Sequence, residues 1–495
     1  MPSAFASIPG PSEFSRIANF FVFRDRPTDF LLGLARDHGL MVRFGLGPMT
    51  AVLVAEPSLV EQILLSDSHC YGPAQGREDM KLLLGEGLLT SVGEAWKRSR
   101  KLMAPPLRKR RIDSYAKTMV ERTEAYVTRL PEVGTRDVGA DMMSLTLRIV
   151  IDTLFGVDTG PDVERVGHHL ESAIHFFERR IRGWLRFVPQ WWPTRARARF
   201  LEDRKAMNRI VYGLIEAGRQ DPEGGDDLLR RLLQARYDDG SPLSEEELRD
   251  QVITMFLAGH ETTALALAYA LHLVAAHPEV QDRLHAELDA ILGSRSATAD
   301  DLASLSFTRA IFQEALRLCP PAWAASRKVL EDTELGGYRL PKGTLLFYSP
   351  FVTHRQAQFF EGPDAFRPER WLDGLEQRLP RMAYLPFGGG PRICIGNHFA
   401  LMEGGLVLAT LMQGLRFRDP QSTLRFSPSV TLRPAHPVKL TFRRRCPTHL
   451  EHRQDEAYRD NEDDLTAGAN KERIPTAQEG IARHRHRDED EHGEE

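Results

Sequence analysis

The chain contains no run of ~20 consecutive apolar residues, the length a helix needs to cross a bilayer, so no membrane span is expected. Its opening stretch, MPSAFASIPGPSEFSRIANFFVFRDRPTDF, also lacks the basic-then-apolar pattern of a secretory leader. Cysteine is scarce. Cys70, Cys319, Cys394 and Cys446 show neither CxxC nor zinc-type spacing, which argues against a disulfide scaffold and fits a reducing, cytoplasmic setting. There is no basic excess to meet phosphate: 65 Lys and Arg stand against 69 Asp and Glu, so nucleic acid is not an expected partner. Large apolar residues become few beyond Phe442. Residues 446–495 are dense in Asp, Glu, Arg and His and cannot bury enough surface to offset chain entropy. The expected organisation is a folded domain over 1–445 and a disordered charged tail over 446–495, with its His-rich run Arg483 to Arg487 solvated.

What is present is most concentrated between Tyr384 and Leu411, YLPFGGGPRICIGNHFALMEGGLVLATL. An extended, glycine-rich run reaches Cys394 just ahead of an apolar helical segment. A sulfur placed there lies near unpaired backbone N–H groups and the positive end of the helix dipole, both of which favour thiolate over thiol. Gly388, Gly389 and Gly390 would let the backbone approach a flat ligand where a Cβ would collide. Arg392 adds a cation for an anionic group on that ligand. Cys394-x-Gly396 alone reads as a structural cysteine in a turn. The full string Phe387-Gly388-x-Gly390-x-Arg392-x-Cys394-x-Gly396, however, resembles the heme-binding loop of the cytochrome P-450 superfamily at every fixed position. The resemblance implies heme b (iron protoporphyrin IX), with Cys394 as the axial thiolate of the iron, a ligand that favours O–O cleavage.

The most regular helical pattern opens with the capping box Ser244-Glu245-Glu246-Glu247 and runs to His277, before Pro278. Its middle, Val252 to Leu273, is apolar nearly all round, so the helix should be central and buried. A carboxylate there is costly unless paired, hydrogen-bonded or useful, and Glu261 sits there beside Thr262 and Thr263. Thr262 could simply bond back to the carbonyl four residues earlier. Yet Ala258-Gly259-x-Glu261-Thr262-Thr263 resembles the family's oxygen-activation motif. Ala258 and Thr262, at i and i+4, share a face, while Glu261 lies about 100° round the helix. The resemblance therefore implies that Ala258 leaves room for heme and dioxygen. Thr262 and Glu261 would be catalytic, the acid relaying protons from water. His260 is given no role.

Further motifs follow the family's order. Trp96 and Arg100 share a helix face and, beside the plain reading of a half-buried indole and a surface arginine, resemble the WxxxR that binds a heme propionate. Glu314 and Arg317, at i and i+3, would alone be a weak surface pair. With Phe366-Arg367-Pro368-Glu369-Arg370-Trp371 they resemble the ExxR and PERF-type pairing, implying a buried structural network of Glu314, Arg317 and Arg370. Arg327, at the start of a strand-like run, is where the family often places another propionate partner. Motif alignment lines the substrate pocket with Leu88, Leu89, Phe256, Leu257, Trp323, Ala324, Ala325 and Val430, all apolar, which suits a fatty acid or terpenoid.

Elsewhere, Met41 to Val54 reads as a hairpin around Gly45-Leu46-Gly47, Pro57 to Leu65 as helical, and Tyr71 to Thr90 as a loop with a short helix. Thr118 to Phe155, Asp162 to Arg182, Glu279 to Leu292 and Ser306 to Leu318 read as helices. Leu335 to Ser349 reads as strands around Pro341-Lys342-Gly343. Phe176 to Phe200, dense in aromatics and arginines, is either a lipid-facing entry surface or a helix–loop–helix with its aromatics turned inward. The expected fold is mainly α with a smaller β region, heme lying between the long helix and the cysteine loop.

The implied function is that of a soluble, bacterial-type monooxygenase, since the anchor of microsomal members is lacking. It would use dioxygen to hydroxylate or epoxidise a lipophilic small molecule. With no flavin-reductase segment or ferredoxin cysteine cluster, it would draw electrons from a separate ferredoxin or flavodoxin and an NAD(P)H reductase, as a monomer. A heme-thiolate peroxygenase or isomerase would be expected to lack the Thr262–Glu261 pair, and a non-catalytic heme sensor would have no use for it.

Overall fold

The computed structural model describes residues 3–74, 77–108, 112–156, 162–182, 192–221, 227–421 and 423–445. The expected disordered tail, 446–495, lies outside them.

Near the N-terminus, alternating apolar residues form β1 (Met41–Leu46) and β2 (Met49–Val54), paired antiparallel with Leu46 opposite Met49. The turn is therefore Gly47-Pro48, with Gly47 at φ +57, and Gly45 lies within the strand instead of at the bend. β3 (Tyr71–Pro73), β5 (Ala325–Val329) and β8 (Leu345–Tyr348) complete a five-stranded sheet in the order β1-β2-β8-β5-β3. β6 (Thr333–Leu335) and β7 (Tyr338–Leu340) pair separately, so the strands flanking Pro341-Lys342-Gly343 belong to different sheets.

The main helices that build the site are, in chain order, α1 (Gly93–Met103), α2 (Ala116–Arg129), α3 (Val138–Leu154), α4 (Asp162–Arg182), α5 (Arg195–Gln220), α6 (Glu245–Ala275), α7 (Ser306–Leu318) and α8 (Asn397–Gly414). One expectation fails here. Thr118 to Phe155 is not one helix: β4 (Val133–Asp137) separates α2 from α3 and pairs with β12 (Lys439–Arg444), which also pairs with β9 (Leu415–Arg418). Pro131 cannot continue a helix, and Asp137 caps α3 by accepting from the Gly139 N–H. A two-stranded hairpin, β10 (Phe426–Pro428) with β11 (Leu432–Pro434), lies between β9 and β12 in sequence.

The 31-residue α6 begins at the expected capping box, with Ser244 and Glu247 bonded reciprocally. At ~1.5 Å per residue it is roughly 46 Å long. It packs most extensively on α3, with α7, α8 and α5 around it. Gly259 allows the close crossing with α3, since a Cβ there would lie 3.2 Å from a Val150 methyl. No helix among the described residues is long and apolar enough to cross a membrane. Of the Phe176 to Phe200 stretch, Phe176, Phe177 and Phe200 pack together inward, Phe176 and Phe200 stacked at 4.4 Å, and Trp192 is half exposed. Residues 183–191 lie outside the described ones.

Candidate active site

The loop before α8 is built by its own hydrogen bonds. Gly388 N–H donates to Leu385 C=O (3.1 Å), Ile393 N–H to Gly390 C=O (3.0 Å) and Cys394 N–H to Phe387 C=O (3.0 Å). Gly388 and Gly390 sit at φ +70 and +69, which a side chain would strain. The close approach at Gly390 is to protein: a Cβ there would run into the Leu64 carbonyl, and one at Gly389 into Met382. Gly388 alone faces open space. The expectation that all three glycines make room for a flat ligand is thus corrected.

Cys394 is exposed towards open space, yet protein crowds its other sides. Burial pushes its thiol up, while the Gly396 N–H and the Arg100 cation pull it down. Burial thus works against the thiolate that the helix start favours, whereas a coordinated metal cation deprotonates a thiol outright.

Arg100, on α1, donates to Ile393 C=O (2.7 Å), and Arg392 donates to Ser91 C=O (3.0 Å) with its guanidinium 4.5 Å from the Trp96 ring centre. Trp96, Arg100 and Arg392 are thus brought together beside the cysteine. Arg327 donates to Ser326 C=O and lies 5.5 Å from the Tyr348 ring; no contact among the described residues joins it to the other three.

Within α6 nearly every residue is buried, but Ala258 is exposed and Thr262 half-buried on the same face. Large apolar residues are also exposed in the segment ahead of α1, Leu89 at 47% and Val92 at 37%, and beside the cysteine, Ile393 at 36%. Leu88 N–H reaches Gln251 of α6 (3.0 Å), tying this segment to the long helix. An outward-facing thiol with guanidinium groups and an indole beside it fits an iron porphyrin with anionic propionates.

Thr262 Oγ1 donates to Ala258 C=O (2.9 Å), the back-bond anticipated as the structural alternative. Glu261, 2% exposed, is paired: its Oε1 accepts from Thr431 Oγ1 (2.7 Å) and from Arg433 Nε (2.8 Å). Neither partner was anticipated, and no local sequence signal marks residues 170 and 172 positions away. His260 is buried, its ring bonded to Phe256 C=O, and burial pushes its pKa down.

The pocket expectation divides. Leu89 is exposed, Ala324, Ala325 and Val430 are half-buried, and Leu88, Leu257 and Trp323 keep a small exposed fraction. Phe256 is fully buried with its ring 4.7 Å from Phe155, so it belongs to the core. The reason is helical: two residues before Ala258 is about 200° round the axis. A separate cleft of about 670 Å³ opens between α4 and α5 among His168, His175, Arg179 and Arg199, away from the thiol.

Behind the loop, Glu314 and Arg317 are both fully buried and doubly bonded, at 2.9 and 2.8 Å. Arg370 Nε (3.0 Å), Trp371 Nε1 (2.8 Å) and Arg367 N–H (3.0 Å) all donate to the Glu314 carboxylate. His354, unanticipated, carries the network to the cysteine loop. Its ring bonds Arg317 C=O through Nδ1 (3.2 Å) and accepts the Leu385 N–H on Nε2 (3.0 Å). Burial first, then Arg317, lowers its pKa to about 3, and the neutral ring is what this pairing needs.

Residues 8–442 match the family model described as Cytochrome P450. The chain belongs to the cytochrome P450 family. Among similar P450s are the "Cyclooctatin synthase" of Streptomyces melanosporofaciens, 36% identical over 82% of this chain and 89% of the relative, and that organism's "Cyclooctat-9-en-7-ol 5-monooxygenase", 37% identical over 81% and 87%. The "Pentalenene oxygenase" of Streptomyces avermitilis is 33% identical over 84% and 92%. The protein is accordingly a bacterial-type P450 and an oxidoreductase of the monooxygenase kind, whose cofactor is a heme iron.

Proposed function

We propose that this P450 hydroxylates or epoxidises a cyclic, terpenoid-type hydrocarbon or its alcohol, using dioxygen and two electrons from a separate ferredoxin or flavodoxin and its NAD(P)H reductase. One oxygen atom enters the product and the other leaves as water, with two protons and two electrons balancing the step. Bound heme b, held by the Cys394 thiolate, would supply the oxygen activation. Trp96, Arg100 and Arg392 would grip its propionates, with Arg327 as a further partner. Ala258 would keep the oxygen pocket open, and Phe387, Gly388 and Gly396 would shape the thiolate loop. Thr262 would hand protons to the oxygen and Glu261 would pass them on from water. A cytoplasmic monomer is the expected form.

The observation that carries this reading is that the middle of the long helix, buried from Leu248 to Leu257 and from Thr263 to His272, opens at Ala258, Gly259 and Thr262, in a chain that also holds an outward-facing cysteine. Nothing charged stands among the apolar pocket residues, which supports a lipophilic substrate. The names of the Streptomyces relatives point to cyclic alkenes and alkenols within that class.

The test is a Soret titration of the ferric protein with cyclooctat-9-en-7-ol, pentalenene, fatty acids and steroids, followed by turnover with a ferredoxin–reductase pair. A blue shift and oxygenated product from the cyclic alkenes are expected. Shifts with fatty acids alone would overturn the terpenoid assignment, and binding without NADPH-dependent oxygen consumption would overturn the monooxygenase role.

A further inference from the structure

The buried Glu261 is held asymmetrically. Oε1 accepts from Thr431 Oγ1 at 2.7 Å and from Arg433 Nε at 2.8 Å, with Arg433 Nη2 in ion-pair contact at 2.8 Å. Among the described residues no hydrogen bond reaches Oε2. One oxygen is anchored, and the other is left to exchange a proton.

Both anchors come from one small element, the β10–β11 hairpin. A two-stranded hairpin is marginal by itself, and this one is pinned from outside. Leu432 N–H donates to Pro321 C=O (2.9 Å), Trp323 Nε1 donates to Ser429 C=O (3.1 Å), and the Tyr269 hydroxyl of α6 donates to Leu432 C=O. Val430, half-buried and one of the expected pocket residues, sits at its turn between Thr431 and Ser429, whose C=O is bonded by Trp323. A molecule pressing on Val430 therefore acts next to the group that holds the acid.

We propose that Arg433, with Thr431, is a positioning residue for Glu261, and that the hairpin makes the placement of the acid depend on whether the substrate pocket is filled. This rests on the reading of Glu261 as the proton relay. In that role Oε2 takes a proton from water and passes one to the Thr262 hydroxyl, so the carboxylate ends as it began. Arg433 would act through Glu261, keeping a buried carboxylate oriented and paired with a cation.

The experiment uses full-length, heme-loaded protein and reads peroxide released per NADPH consumed, together with the infrared carboxylate band lost in Glu261→Gln. With Arg433→Gln, peroxide is expected to rise several-fold and the band to move, while substrate affinity by Soret titration stays unchanged; Arg433→Lys should restore both. Thr431→Val should move both in the same direction and serves if Arg433→Gln misfolds. Saturating substrate should shift the band in wild type. Wild-type peroxide and an unmoved band in Arg433→Gln would overturn the positioning role, and a band indifferent to substrate would overturn the link to the pocket. Wild-type coupling in Glu261→Gln would instead sink the proton-relay reading itself, before any hairpin variant is made.

Discussion

Thr262 and Glu261 are neighbours in sequence with different surroundings. The threonine hydroxyl is bonded to Ala258 C=O on the face that carries the exposed alanine, and the glutamate is turned towards the hairpin. Thr262→Val removes the hydroxyl and keeps the shape. The expected outcome is product formation falling by about 10²-fold or more, the usual worth of a placed proton donor, with peroxide replacing product and substrate binding intact. Phe256 and Val430 make a contrasting pair. Phe256→Ala is expected to cost about 3–5 kcal/mol of stability and leave the product pattern alone, because its ring lies against Phe155. Val430→Phe should change which ligands shift the Soret band, at little cost in unfolding midpoint.

At the scale of elements, α7 and the loop ahead of α8 are joined by a continuous set of buried polar contacts. Glu314 accepts from Arg317, Arg370, Trp371 and the Arg367 N–H. Glu314→Gln would leave buried guanidinium groups without an anion, and a loss of about 3–5 kcal/mol is expected in chemical unfolding. His354→Ala would strand Leu385 N–H and Arg317 C=O, each worth about 1–3 kcal/mol when buried unpaired. Since Leu385 leads directly into the cysteine loop, faster heme loss is the expected readout, even under conditions where the far-ultraviolet spectrum is unchanged.

For the whole molecule, buried titratable groups set how stability varies with pH. Burial lowers the pKa of His272 to about 4 and of His285 and His354 to about 3. The unfolded chain binds protons at these sites first, so stability should fall as pH drops below about 6.5, the ordinary histidine value. Glu403, on α8 and fully buried, works in the opposite direction. No well-formed hydrogen bond reaches either of its oxygens among the described residues, since the nearby Thr263 hydroxyl is turned to Gly259 C=O, and burial raises its pKa to about 8. Here the unfolded chain releases its proton first, so stability should fall as pH rises from about 4.5 to 8. Glu403→Gln is expected to raise the urea midpoint above pH 8 and leave it unchanged near pH 4.5; equal gains at both would rule out the titration.

The short-range features were legible because their physics is short-range. The capping box, the periodicity of α6, the glycine spacing before Cys394, and Glu314 one turn from Arg317 depend on residues within a few positions. Legible too, though misread, were the break at Pro131 and the inward turn of Phe256, both of which follow from backbone geometry. What only the tertiary structure decided is how each buried polar group is satisfied: Arg433 and Thr431 on Glu261, His354 between Arg317 and Leu385, Leu64 against Gly390. The reason is energetic. A chain must pair a buried charge or carbonyl with something, and which distant residue does so depends on how the elements pack, not on any pattern beside it.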